Sequence, residues 1–289
     1  MTVFIANLPD RAVIEIKGEE TLAFLQDLVT ADVAGLKPGQ AAHGALLTPQ
    51  GKILFDFFIV AVAGGVLIDC AAENAAMLAQ KLTMYRLRRA LDIDLAAGLA
   101  VAAVWGETDV PALGNAHVFA DPRNVELGSR VIAPRAVVQS IANQPAEAYQ
   151  DHRYRLGIGD ASEIGSGELF PHEACYDQFA SVDFSKGCYV GQEVVSRMQH
   201  RGTARARLVP VEGSADLPAP GAKVTVDDRQ VGTLLGSHGS NGLALIRLDR
   251  AAKAAKAGKV LSVDGQPISM HKPAWARWPD ADDGAGDND

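Results

Sequence analysis

The sequence predicts an α+β body followed by a small antiparallel β domain, and three observations carry that prediction. Up to Gly202, β-branched runs and helical stripes alternate without the regular spacing of a doubly wound sheet. Beyond it the texture changes to short β runs broken by Pro/Gly and Asp-Asp turns, as in a small antiparallel barrel or sandwich. No internal repeat, Walker motif or dinucleotide fingerprint interrupts either part.

Ala12 to Lys17 is a β-branched run, and Gly18-Glu-Glu then opens a helix with Leu22, Leu25 and Val29 on one face. His43 to Thr48 and Lys52 to Val62 read as a hairpin whose turn is Thr48-Pro-Gln-Gly51. Val66 to Cys70 is a further strand. Ala71, Ala75, Leu78, Leu82 and Tyr85 then repeat at helical spacing, ending in Arg86, Arg88 and Arg89, cations that suit a helix C-terminus. Val101 to Trp105 is a buried strand, and Tyr149 to Arg155 a helix stopped at Gly157. Strand runs at Arg207 to Val211, Lys223 to Val226, Gln230 to Leu235, Leu243 to Leu248, Val260 to Val263 and Pro267 to Met270 build the second part, with Trp275 and Trp278 expected to pack back on the body.

At 289 residues, 48% hydrophobic and 21% charged, the chain supports a sizeable core in one large or two to three smaller domains. The formal charge of −8 owes five aspartates to the stretch from Trp278 to Asp289, expected to be disordered, so the body is near neutral and announces no nucleic-acid binder. The longest uncharged apolar runs, Phe57 to Ile68 and Leu95 to Gly106, are too short for the ~18 to 20 residues of a membrane span. The N-terminus lacks a basic, long-apolar or Arg/Ser-rich amphipathic start, so the cytoplasm is the expected compartment. Three cysteines, at 70, 175 and 188, cannot all pair, show no close metal or redox spacing, and fall short of the four thiolates that usually hold a cluster within one chain.

The chemistry concentrates between Phe184 and Arg197. Val182 and Phe184 alternate like the end of a strand, Gly187 and Gly191 permit a tight loop, and Val194, Val195 and Met198 resume at helical spacing. Cys188 then sits ahead of a helix whose first turn carries Gln192 and Glu193, with Lys186 two residues before it. Helix N–H groups and an ammonium favour the thiolate, and Glu193 opposes them. The other reading of Cys188 is a small buried packing residue. Asp56, flanked by Phe55, Phe57 and Phe58, costs several kcal/mol to bury unless something satisfies it, or else it turns outward by alternation. From Lys186 to Arg207, Lys186, Arg197, Arg201, Arg205 and Arg207 outnumber the single acid Glu193, a landing area for an anion.

The string Lys186-Gly187-Cys188-Tyr189-Val190-Gly191-Gln192-Glu193 resembles the hallmark of the YgfZ family, folate-binding relatives of the glycine-cleavage T-protein that serve iron-sulfur cluster assembly or repair. The resemblance implies a T-protein-like fold: two interleaved α+β subdomains around a central cavity over 1–202, a β-barrel over 203–278, and an acidic tail over 279–289. It implies tetrahydrofolate or a one-carbon derivative in the cavity, with Cys188 and Lys186 as the reactive pair at its mouth. Gly51-Lys-Ile-Leu-Phe-Asp56 is similar to the T-protein stretch whose Asp lies against the reactive edge of the folate, although Phe55 replaces the first of that enzyme's two adjacent aspartates. Arg153 matches a T-protein Arg, while Arg155 stands where the pterin-gripping Glu follows. Tyr189, Gln192, Glu193 and Arg197 complete the implied folate set, Arg197 within the landing area for the folate tail. No protein metal site is implied, and His172 and Glu173 of the Pro171-His-Glu approach stand as assisting residues or as a loop salt bridge.

Two classes of function are therefore expected, in order. The first is a folate-binding helper for 4Fe-4S enzymes, including tRNA-modifying ones, whose partners are the assembly machinery or those clients. The second is a folate-dependent aminomethyltransferase, against which Phe55 and Arg155 count. An RNA-binding module through the Arg197 to Arg207 cluster ranks below both, because no aromatic interleaving accompanies it.

Overall fold

The computed structural model describes residues 2–106, 114–202 and 204–278. Three sheets organise them. The first is five-stranded and antiparallel between neighbours, in the order β3 (Ala41–Leu47), β4 (Ile53–Val62), β5 (Gly65–Ala71), β2 (Arg11–Lys17), β6 (Asp92–Leu95). The second has four strands, β1 (Val3–Asn7), β7 (Leu99–Gly106), β9 (Ser129–Pro134) and β8 (His117–Ala120). The third is a closed antiparallel barrel in the order β10 (Ala206–Gly213), β13 (Asn241–Arg247), β12 (Arg229–His238), β11 (Lys223–Val226), β14 (Leu261–Val263), β15 (Gln266–Met270), sealed where β15 pairs back with β10. The predicted α+β body and β domain both form, and closure makes the latter a barrel.

Alternation along β4 decides what the body buries where. Phe55, Phe57 and Ile59 face a core shared with α1 (Thr21–Gln26) and α2 (Ala75–Arg86), to which Phe24, Leu25, Leu78 and Leu82 belong. Phe58 and Val60 point the other way, into a core that runs through the second sheet to the barrel. Asp56 lies on that same inward face. The hairpin register places Ala45 opposite Asp56 and His43 opposite Phe58.

Between the first two sheets lies a network of six charges. Arg11 bonds Asp69 (2.6 Å) and Asp160 (2.8 Å); Arg130 reaches Asp69 (2.8 Å), Asp121 (3.3 Å) and Asp160 (3.4 Å); Arg123 pairs with Asp121 (2.8 Å). All six are buried, and the Arg130 guanidinium stacks 3.9 Å from the Phe58 ring centre. Burial alone would raise the Asp121 carboxyl, but Arg123 and then Arg130 overcome it and hold it down at about 2. Three positive and three negative groups neutralise one another, so no formal charge of the set is left bare.

The remaining helices are α3 (Arg135–Ile141), α4 (Ala146–Leu156), α5 (Ala161–Ile164), α6 (Gln192–Arg201) and α7 (Leu248–Lys256). α4 ends on Gly157 in the left-handed conformation, as the sequence implied. Three features differ from expectation. The first helix stops at Gln26, and Val29 makes an isolated bridge to Leu46 instead. Val182 to Phe184 is not a strand: Asp183 N is drawn to Thr30 O (2.9 Å), and its carboxylate caps the following turn. Strand β1 and helix α7 form where the sequence expectation placed no such element. Trp275 donates to Leu156 O (2.7 Å) and packs tilted against Phe179, and Trp278 lies under Arg207, so both return to the body. The acidic stretch 279–289 lies outside the described residues.

Removing one partner from the six-charge network strands the others. Asp69→Asn or Arg130→Met is expected to lower stability by about 3–5 kcal/mol in urea melts. Asp121 has a folded-state pKa below its unfolded value, so its contribution is complete above about pH 4 and is lost as pH falls toward 2. A melting temperature that declines over that window, less steeply in Asp121→Asn, is the expected record.

Candidate functional site

The Cys188 loop is built from three anchors. Asp183 Oδ1 accepts from Ser185 N (2.6 Å), Ser185 Oγ (2.7 Å) and Lys186 N (3.0 Å), folding the chain into a tight turn. Lys186 Nζ then donates to Val29 O (2.7 Å) and Ala31 O (2.8 Å). Gly191, at φ 82°, is the third: a Cβ there would lie 2.6 Å from Thr48 O and 3.1 Å from Gly51 Cα, so the loop seats on the β3–β4 turn only because the residue is glycine. Between the second and third anchors Cys188 is exposed, immediately ahead of α6.

The other two thiols are sealed. Burial raises Cys70 and Cys175 each to about 12. Cys188 is therefore the one thiol of three open to a partner or reagent.

The structure redistributes the roles expected around it. Lys186 is a loop anchor: it is half-buried, desolvation lowers it to about 8, and both its bonds go to main-chain carbonyls. Tyr189 is buried, its hydroxyl has no hydrogen-bond partner, and Lys186 lies 5.5 Å from its ring centre. Gln192 reaches only Gly187 O, at 3.5 Å. Glu193 and Arg197 form an exposed i,i+4 pair (2.8 Å) on α6. Arg207 is drawn inward to Asp177 and His172 O, so the basic landing area is thinner than the sequence suggested. His172 Nε2 bonds Gln199 Oε1 (3.0 Å), and Glu173 accepts from Phe170 N; neither makes the loop salt bridge.

Asp56 belongs to a different place. It is 4% exposed, and its Oδ2 lies 3.6 Å from His43 Nε2, too far for a hydrogen bond. Those two atoms and the Tyr176 hydroxyl are all buried without partners. Burial pushes the His43 pKa down and the Tyr176 pKa up, so both are neutral near pH 7. The cavity that Asp56 lines is about 10 Å³, the room of a single water, where a pterin-sized hollow was expected. Arg153 does not join it: its guanidinium holds Glu163 (3.0 Å) and Ile158 O (3.0 Å). A cavity of that size does not hold the ring of a folate.

The two places are nevertheless connected. His43 Nδ1 and Ser181 Oγ share a hydrogen bond (2.8 Å) whose direction the imidazole tautomer sets. Thr30 Oγ1 donates to Ser181 O (2.6 Å), and Thr30 O accepts from Asp183 N. Asp183 holds the turn that leads into Lys186 and Cys188. His43, Tyr176, Ser181 and Thr30 escaped the sequence reading; a histidine opposite Phe58 in the hairpin register was the available signal.

Comparison with known proteins fits this arrangement. Residues 205–278, which contain the six barrel strands, match the family model described as CAF17, C-terminal beta-barrel domain. The iron-sulfur cluster assembly factor IBA57 homolog, mitochondrial, of Pyricularia oryzae is 31% identical over 278 residues, covering 84% of this chain and 71% of that protein. The chain belongs to the IBA57 family of iron-sulfur cluster assembly factors. The mouse and human IBA57 proteins, also mitochondrial by name, are each 29% identical over 83% of the chain and 76% of their own length. Glycine cleavage system aminomethyltransferase T from Bartonella henselae superimposes with a TM-score of 0.75 over 95% of the chain and 86% of its own, at 15% identity. The fold is thus that of the T-protein. The cytoplasmic expectation is overturned, because these IBA57 relatives are mitochondrial proteins by name. No helix among the described residues is long and apolar enough to cross a membrane.

Thiol chemistry checks the site directly. A chromogenic disulfide is expected to titrate one thiol of the native protein and all three after denaturation. Lys186→Met leaves the carbonyls of Val29 and Ala31 without their donor; a stability loss of about 1–3 kcal/mol and faster amide exchange over 186–191 are expected.

Proposed function

We propose that this chain serves iron-sulfur cluster assembly by lending the Cys188 thiolate to a cluster held jointly with a second protein. The single observation that carries the reading is the contrast among the thiols: one exposed on a loop with three anchors, two sealed. Among the described residues, no group of three or more His, Cys, Asp and Glu stands close enough to hold a metal ion. A cluster that takes Cys188 as a ligand therefore draws its remaining ligands from the partner.

The step is a ligand exchange. Cys188 loses its proton to solvent or to the departing thiolate, an Fe–S bond to Cys188 Sγ forms, and one Fe–S bond to the previous holder breaks, with no change in cluster oxidation state. The Asp183 turn and the Lys186 anchor fix the thiol's approach, and the exposed α6 face beside it leaves room for the incoming protein. The partners proposed are the assembly machinery and client 4Fe-4S enzymes, tRNA-modifying enzymes among them. The octad at Lys186 to Glu193 supports a further kinship with the YgfZ family.

Tetrahydrofolate enters this reading as a ligand of an opened form of the Asp56 nook, in which His43 and Tyr176 move off the carboxyl. The T-protein fold and three unpartnered polar atoms support it, and no step of the ligand exchange is routed through it. Aminomethyl transfer is the weaker reading, since Phe55 and Arg155 stand where that enzyme uses an Asp and a Glu.

Cys188→Ala is expected to fold like the wild type and to lose its support of 4Fe-4S enzymes in depleted cells; full support by that variant would sink the reading. For the folate part, calorimetric titration with tetrahydrofolate is expected to show tighter binding in His43→Ala, which empties the nook, and none in Asp56→Ala. Equal heats in both variants would remove the nook from folate binding.

A further inference from the structure

A groove of about 780 Å³ that the Cys188 chemistry does not use lies between the ends of α1 and α2, with Phe24, Leu28 and Tyr85 among its walls. Leu87, directly after α2, forms its lip. It adopts φ 52° and ψ −108°, a conformation open to glycine and rare for leucine, and it is 84% exposed. Strain and apolar exposure fall on the same residue, and nothing among the described residues covers it. Met84 and Met77, exposed on α2, extend the apolar strip.

The charge at this end is opposite to that of the whole chain. Arg86, Arg88 and Arg89 line the groove with two carboxylates, Glu20 and Asp27, and Lys81 stands over the Tyr85 ring, on a protein of net charge −8. Arg86 donates to Leu91 O, and Arg89 pairs with Asp27 at 2.9 Å. Arg88 makes no ion pair among the described residues and stands beside Leu87.

The groove is also continuous with the cysteine site. Leu28 is one peptide from Val29, whose carbonyl receives Lys186 Nζ. Asp27 is near enough to that ammonium to favour its charged form. The groove and the cysteine loop are thus tied through Val29 and Lys186, so a partner that spreads from one reaches the other along a single hydrogen-bonded connection.

We infer that the Leu87–Arg88 lip and the groove behind it dock an acidic, amphipathic segment of the protein that shares the cluster with Cys188. The segment lays its apolar face on Leu28, Tyr85 and Leu87 and sets a carboxylate on Arg88. The partner's identity rests on the shared-cluster reading; the surface does not.

The probe is a short fluorescent helical peptide with Leu and Phe on one face and flanking Glu, titrated against the full chain beside its Glu→Lys twin. The acidic peptide is expected to bind at least about tenfold more tightly, and Arg88→Glu to invert that preference. Leu87→Gly relieves the backbone strain, so its melting temperature stays level or rises while peptide affinity drops about tenfold. A purely structural Leu87 gives unchanged affinity, and that result, or a preference Arg88→Glu fails to invert, overturns the inference. A concentration-dependent dimer of the free chain that Leu87→Gly dissolves assigns the lip to a second copy and overturns it as well. Cys188→Ala separates the two readings: peptide affinity is expected to persist in it, whatever its effect on cluster support.

Discussion

Six buried charges hold the body of this molecule in one arrangement. Arg11 and Asp69 come from the first sheet, Arg130 from the second, Asp121 and Arg123 from the segment after β8, and Asp160 from the entry to α5. A hydrophobic seam between the two sheets would tolerate sliding, because apolar contacts are non-directional. Guanidinium–carboxylate pairs do not slide: each fork fixes distance and angle, and leaving one open costs more than a closed pair returns. Phe58, under the Arg130 guanidinium, fits β4 to the same arrangement.

That constraint sets the character of the interior beside Asp56. The cavity that Asp56 lines, walled by Phe55, Cys70, Leu78 and Ala161, has the room of one water, and His43 Nε2 stands 3.6 Å from the same carboxylate. Polar atoms remain without partners there, a cost that a fully apolar filling would avoid. The nook is linked through Ser181, Thr30 and Asp183 to the turn presenting Cys188, so rearrangement of His43 bears on the loop through hydrogen bonds of 2.6 to 2.9 Å.

Turn chemistry and β-branched runs made the β3–β4 hairpin and the barrel strands legible, although β4 is buried on both faces, and the helical repeat of Ala75, Leu78 and Leu82 marked α2. Cys188 was legible for a different reason, since the octad packs glycines and reactive side chains into eight positions. What escaped was long-range. Lys186 looked like a neighbour for the thiol, and only the folded chain brings Val29 O and Ala31 O to its ammonium. Val182 and Phe184 mimic a strand, but Asp183 has a nearer hydrogen-bond partner in Thr30. The ion network joins residues as far apart in sequence as Arg11 and Asp160, which no local pattern signals. Compartment was the least legible property of all: the residues suggested the cytoplasm, whereas the IBA57 relatives are mitochondrial by name.

Closure of the barrel through β10 and β15 has a consequence for the order in which the chain matures. The first barrel strand finds its last neighbour only when residue 270 has emerged from the ribosome, whereas every group that anchors the cysteine loop precedes residue 203. The residues that anchor the loop are thus all synthesised before the strand that closes the barrel, and until that strand arrives the edge of β10 is unpaired.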